Sequence, residues 1–211
     1  MKTFFLIFAV SFTLGAMPAP FTVVLDPGTG REPALLQESL ACTELLRQAL
    51  EDTFPEVRIV LSRTSAIAPD INQAASFSNR LHADLHVAFN FAITKEESRY
   101  VQLYTCGQKA HMTPGKHPKS NLTFIPFGKA YTKEINRSQH LAHHLVSALK
   151  ATSSLSCNEP HVLPLKALQG VLAPSFLIEL PLTKPHDWRS YFSALHEGLK
   201  AVIQEQLKEQ E

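Results

Sequence analysis

The stretch TVVLDPGTGR, Thr22 to Arg31, decides how the chain is read. An apolar run stops abruptly at Asp-Pro-Gly-Thr-Gly, the pattern of a buried strand delivering a tight turn to a sheet edge. Working outward, ALLQESLACTELLRQALEDTF (34–54) carries apolar residues at helical spacing and ends before Pro55. VRIVL (57–61) is a second strand, and PDINQAASFSNRLHA (69–83) a second helix with Pro69 in its first turn. DLHVAFNFA (84–92) and YVQLYTC (100–106) follow as strands, then a helix in NRSQHLAHHLVSALKA (136–151). HVLPL (161–165) and SFLIELP (175–181) are further strands, and HDWRSYFSALHEGLKAVIQEQL (186–207) reads as one closing helix. Strands alternating with helices predict a single α/β domain. Its mostly parallel sheet has about six strands, with helices on both faces. In such sheets the ligand sits outside the carboxyl ends of the strands, which directs attention to Asp26–Gly30, Ser62–Arg63, Phe89–Ala92 and Glu179–Leu182.

Composition sets the outer bounds. The chain has 211 residues, 45% of them hydrophobic and 18% charged, a globular mixture with enough length for one sizeable core. A net charge of +1 gives no global reason to expect a nucleic-acid partner. At the N-terminus, Met1-Lys2 precedes the apolar run TFFLIFAVSFTLGAM, too short for a comfortable membrane span. Small residues and Pro18 and Pro20 follow. Residues 1–19 are therefore expected to be a secretory signal peptide, leaving 20–211 as the mature domain with no stable membrane span. An uncleaved anchor or a first core strand is the plainer reading. The cysteines Cys42, Cys106 and Cys157 are odd in number and lack CxxC spacing; Cys106 and Cys157 could pair, while Cys42 lies within a helical pattern as a small apolar residue.

Five blocks in order, VVLDPGTG, LSR, NRLHADLHVAFNFA, SQHLAHHLVSALK and APSFLIEL, resemble the zinc-dependent N-acetylmuramoyl-L-alanine amidases of type 3. These enzymes cleave the amide between the lactyl group of muramic acid and L-alanine in peptidoglycan. The resemblance covers nearly all of the mature chain. It implies an amidase-like α/β fold, peptidoglycan as partner, other wall-remodelling proteins as further partners, and a secreted, periplasmic or wall-associated location. It also implies three zinc ligands, and this sequence departs from them. Thr29 stands where the first histidine is expected, Glu38 matches the ligand from the first helix, and Asn90 stands where the second histidine ends its strand. The catalytic glutamate is retained as Glu179.

The departures have a chemical consequence. Catalytic zinc needs three good protein donors and a water, and neither a hydroxyl nor a carboxamide replaces imidazole. No bound zinc is expected, so the chain reads as a degenerate member that binds wall or regulates its remodelling. An active amidase with other ligands, or an envelope interaction protein that does not touch the wall, is the alternative. Other histidines offer no evident rescue. His86 lies ~13 Å before position 90 along the strand. His140 and His144 are an i,i+4 pair on a helix and read as ordinary surface or half-buried residues. His111 and His117 lie in a long excursion, 107–133, with five lysines and no acidic residue. There Lys116, Lys119 and Lys129 are expected to hold the negatively charged stems and wall polymers; a merely solvated loop is the other reading. Asp26, before Pro-Gly, is read as a turn-fixing residue.

Overall fold

The computed structural model describes residues 20–28, 33–65, 67, 70–95, 99–107 and 125–209. Seven strands form the sheet: β1 (Thr22–Asp26), β2 (Arg58–Leu61), β3 (Leu85–Ile93), β4 (Tyr100–Cys106), β5 (Ser156–Cys157), β6 (His161–Leu163) and β7 (Ser175–Leu182). The order is β2-β1-β3-β7-β4-β5, with β6 also pairing β4. All pairs are parallel except β4–β7, so the sheet is mostly parallel as expected. The reversal follows from the short connection between β3 and β4, which leaves no room for a crossover helix. β5 and β6 pair with opposite ends of β4 and share one interrupted edge. The first of them is two residues long and has no periodicity for a sequence reading to find.

Helices α1 (Pro33–Thr53), α3 (Ile135–Thr152) and α5 (Phe192–Lys208) cover one face. Leu46 and Leu50 of α1, Leu141, Leu145 and Leu149 of α3, and Leu199 and Val202 of α5 pack there against Val23, Leu25, Val87, Phe89, Phe176 and Ile178. This core forms because the odd positions of β1 and β3 and the even positions of β7 are all large and apolar. The period of two sends them to one side. The opposite face is covered by α2 (Ile71–Arg80), α4 (Lys166–Gln169) and a 3₁₀ helix, Phe127–Lys133, whose Tyr131 packs with Ala88, Cys106 and Leu168. Asp70 caps α2 by accepting a hydrogen bond from the Asn72 amide, 2.9 Å. Asn79 ties α2 to the segment after α4, donating to Gly170 O and accepting from the Leu172 amide.

The excursion ends in a short element of its own, the 3₁₀ helix seated on the sheet; residues 108–124 lie outside the described residues. Two other readings are corrected. The closing helix is broken: Pro185–Ser190 is a 3₁₀ helix, and α5 starts at Phe192. The break buries Trp188 and lets Tyr191 Oη donate to Pro181 O, 2.9 Å. Finally, Cys106 and Cys157 do not pair; all three cysteines are free and buried. Cys157 is in register with Val101, so Cys106 lies five residues further along β4, about 17 Å away, well beyond disulfide reach. Among the described residues no helix is long and apolar enough to cross a membrane.

Candidate functional site

The second sheet face is where polar groups collect. Asp26, His86, Ala88, Asn90, Leu177, Glu179, Gln102 and Tyr104 all project from it by strand alternation and register. Asn90 and Glu179 are direct partners across β3 and β7, and Gln102 is the partner of Glu179 across β7 and β4. Asn90 Nδ2 donates to Glu179 Oε2 at 2.8 Å, and Tyr104 Oη donates to Glu179 Oε1 at 3.2 Å. Both carboxylate oxygens are therefore held by neutral donors. Burial and the neighbouring Glu179 carboxylate push the Tyr104 phenol up to about 12, so it remains a donor at any physiological pH. Asn90 and Glu179 are half-buried, open enough to meet a ligand.

The turn after β1 is fixed from several sides. Asp26 Oδ1 accepts from Ser62 Oγ at 2.6 Å and from the Gly28 amide at 3.3 Å, which is the turn-fixing role its Pro-Gly context predicts. Ser39 Oγ donates to Pro27 O. Arg63, buried, reaches back from the end of β2 to donate to Gly28 O at 2.9 Å and to Ser65 O at 2.5 Å. Gly28 has φ +75° and lies so close to β3 that a Cβ there would sit 1.9 Å from Phe89 O. No other residue type fits. Thr29, next in the chain, lies outside the described residues.

Glu38 is placed differently from Asn90 and Glu179. Its Oε2 accepts from Trp188 Nε1 at 2.6 Å, and its Oε1 is 2.7 Å from His186 Nδ1. The helix α1 carboxylate is thus engaged by the 3₁₀ helix that follows β7. Arg63 lies at a strand end that the sequence singles out; Tyr104, His186 and Trp188 are not singled out there. The signal for Tyr104 was its parity with Gln102 on a strand beside Glu179, visible only once β4 is known to be antiparallel.

His86 is fully buried at the level of Val24 and Ser175, and neither ring nitrogen has a hydrogen-bond partner. Burial lowers its pKa, with Asp26 opposing, so the ring is neutral. It lies four residues before Asn90 and does not reach the Asn90–Glu179 pair. His140 and His144 sit on α3, which packs on the other face of the sheet. Of the lysines expected to meet substrate, Lys129 is exposed on the 3₁₀ helix that covers this face; Lys116 and Lys119, with His111 and His117, lie outside the described residues.

No family model matches the sequence, and no curated protein matches it. Solved structures do. The amidase AmiC2 of Nostoc punctiforme superposes with a TM-score of 0.61 at 16% identity, over 89% of this chain and 97% of that one. The catalytic domain of the amidase CwlV of Bacillus (Paenibacillus) polymyxa gives 0.58 at 16%, over 89% and 98%. An amidase of Clostridium difficile 630 gives 0.56 at 19%, over 90% and 97%. Each is described as an N-acetylmuramoyl-L-alanine amidase. The similarity spans essentially whole domains on both sides, and the chain therefore has the fold of the N-acetylmuramoyl-L-alanine amidases.

Proposed function

We propose that this chain is an exported, envelope-associated protein of amidase fold that binds peptidoglycan through the cleft at Asn90, Glu179 and Tyr104 without hydrolysing it. The observation that carries this reading is the Asn90–Glu179 hydrogen bond. At the strand position where a zinc-binding imidazole is expected stands a carboxamide, and its amide already donates to the retained glutamate. Glu38, the other candidate donor, has one oxygen on Trp188 and the other on His186. These residues do not fit a catalytic zinc, which in the resembled enzymes would activate a water and polarise the scissile carbonyl. Glu179 alone, as a general base, offers ~10²–10⁴-fold, far below the ~10⁶-fold or more typical of an enzyme.

What these side chains can do is bind. Asn90 and Tyr104 hold the carboxylate oriented, as an acceptor for amide N–H and hydroxyl groups, both abundant in glycan-linked peptides. Lys129, exposed on the neighbouring 3₁₀ helix, offers a positive charge for stem carboxylates or anionic wall polymers. Export rests on the apolar segment 1–19 with its small residues and prolines, which is read from sequence and lies outside the described residues.

The test uses purified sacculi. The protein is expected to co-sediment with them and to release no stem peptides, with or without added Zn²⁺. Glu179→Ala should reduce co-sedimentation. One observation favours a second reading, an active amidase with a displaced ion: the His186 imidazole beside Glu38. That reading requires peptide release that is lost in both Glu38→Gln and His186→Ala, and such a result would replace the first.

A further inference from the structure

Helices α3 and α5 lie side by side and antiparallel on the apolar face of the sheet, away from the Asn90–Glu179 pair. On their outer surface α3 presents His140 and His144, one turn apart, and α5 presents Glu205 with Glu209 one turn on. Glu205 sits between the two imidazoles. Its Oε1 is 2.8 Å from His140 Nε2 and its Oε2 is 3.0 Å from His144 Nδ1. The second contact lacks hydrogen-bond geometry: Oε2 is buried and has no hydrogen-bond partner. Donor atoms of His140, Glu205 and Glu209 all lie within 4.8 Å of one another. Glu209 Oε2 receives Arg137 at 3.0 Å and Gln206 at 2.9 Å, which leaves its other oxygen unassigned.

We propose that His140, His144, Glu205 and Glu209 form a structural zinc site that clips the last turn of α5 to α3. Two imidazoles and two carboxylates are a donor set suited to Zn²⁺. Donors ~2.0–2.2 Å from a tetrahedral ion stand about 3.4 Å apart. The donor atoms of His140, Glu205 and Glu209, within 4.8 Å of one another, must close to that distance, and His144, 3.0 Å from Glu205, joins them by turning toward the same point. The i,i+4 spacing brings His140 and His144 to one face of α3, and Glu205 with the capping Glu209 to one face at the end of α5. An ion also explains the orphaned Glu205 oxygen: a cation at the centre of the four groups supplies the electrophile that no N–H supplies. Binding displaces any proton shared between imidazole and carboxylate and releases it to solvent. Glu205 lies in the last turn of α5 and Glu209 caps it.

The test is calorimetric titration of the full, chelator-stripped chain with ZnCl₂, paired with thermal unfolding. One ion per chain and a rise in melting temperature are expected. His140→Ala, His144→Ala and Glu205→Gln should each weaken binding about 10- to 100-fold while leaving the zinc-free melting temperature nearly unchanged. Asn90→Ala should bind as the parent does. Absence of micromolar binding, or parent-like binding in the three variants, overturns the site. Binding lost in Asn90→Ala instead would place the ion in the cleft. That outcome would defeat both this site and the zinc-free reading of the cleft, whereas failure of sacculus binding would leave this site untouched.

Discussion

The two faces of the sheet were built by different rules. On one, every inward position of β1, β3 and β7 is apolar, and α1, α3 and α5 seal it. On the other, the same strands carry Asp26, His86, Asn90 and Glu179, and the covering elements are shorter: α2, the four-residue α4 and a 3₁₀ helix. A fold needs only one continuous core. The first face supplies the burial that outweighs chain entropy, which frees the second to hold polar groups in fixed positions. The comparison teaches where to look for function. A polar group that the fold does not require, held by specific partners at a strand end, is a candidate for meeting a ligand.

The comparison can be broken by mutation, and the largest effect should come from the apolar face. Leu145→Ala, fully buried between α3 and α5, should cost about 2–5 kcal/mol in denaturant unfolding. Gly28→Ala at the cleft turn should cost about 1–3 kcal/mol, because of its left-handed backbone and the contact with Phe89 O. An unchanged midpoint there would mean that the turn is not held against β3 as described. His86 gives a pH-dependent effect. Its pKa is lowered in the fold by burial, so below the ordinary value of 6.5 the unfolded chain binds a proton that the native chain refuses. Stability should therefore fall with decreasing pH by up to about 1.4 kcal/mol per unit just below that value. Comparing the pH slopes of the parent and His86→Leu isolates the effect, and equal slopes would refute it.

Smaller still is Tyr104→Phe. It removes one donor to a half-exposed carboxylate that water can replace, so unfolding should change by about 0.5–1.5 kcal/mol or less, while sacculus binding weakens measurably. If it costs as much as Leu145→Ala, the polar face is structural and the contrast between the faces fails. The thiols provide a last check without mutation. Burial pushes Cys42 up to about 12 and Cys106 to about 11, so a thiol reagent at pH 8 should label the native chain slowly and all three cysteines rapidly in denaturant.

Much of this architecture is legible in one dimension. The apolar runs of β1 and β3 and the helical spacing of α1 and α3 report burial of a local segment, and each carries its own period. The same alternation that marks β3 as a strand puts Asn90 on the face of His86. What escaped were features made by pairing. The two-residue β5 exists because β4 offers it an edge. The 3₁₀ helix at Pro185–Ser190 interrupts a helical pattern because burying Trp188 against α1 outweighs continuing the helix. Tyr104 shows nothing unusual in its neighbours along the chain, and it meets Glu179 only because β4 runs beside β7.

The alternation of strands and helices and the turn after β1 are legible in the order of residues alone. These are properties of residue type and local period, which every chain carries before it folds. Only the tertiary structure decided that Asn90 grips Glu179, that Glu38 turns to Trp188 and His186, and that two histidines of α3 meet two glutamates of α5. Those are contacts between distant segments, and their geometry is set by strand order, register and helix packing rather than by any stretch read alone.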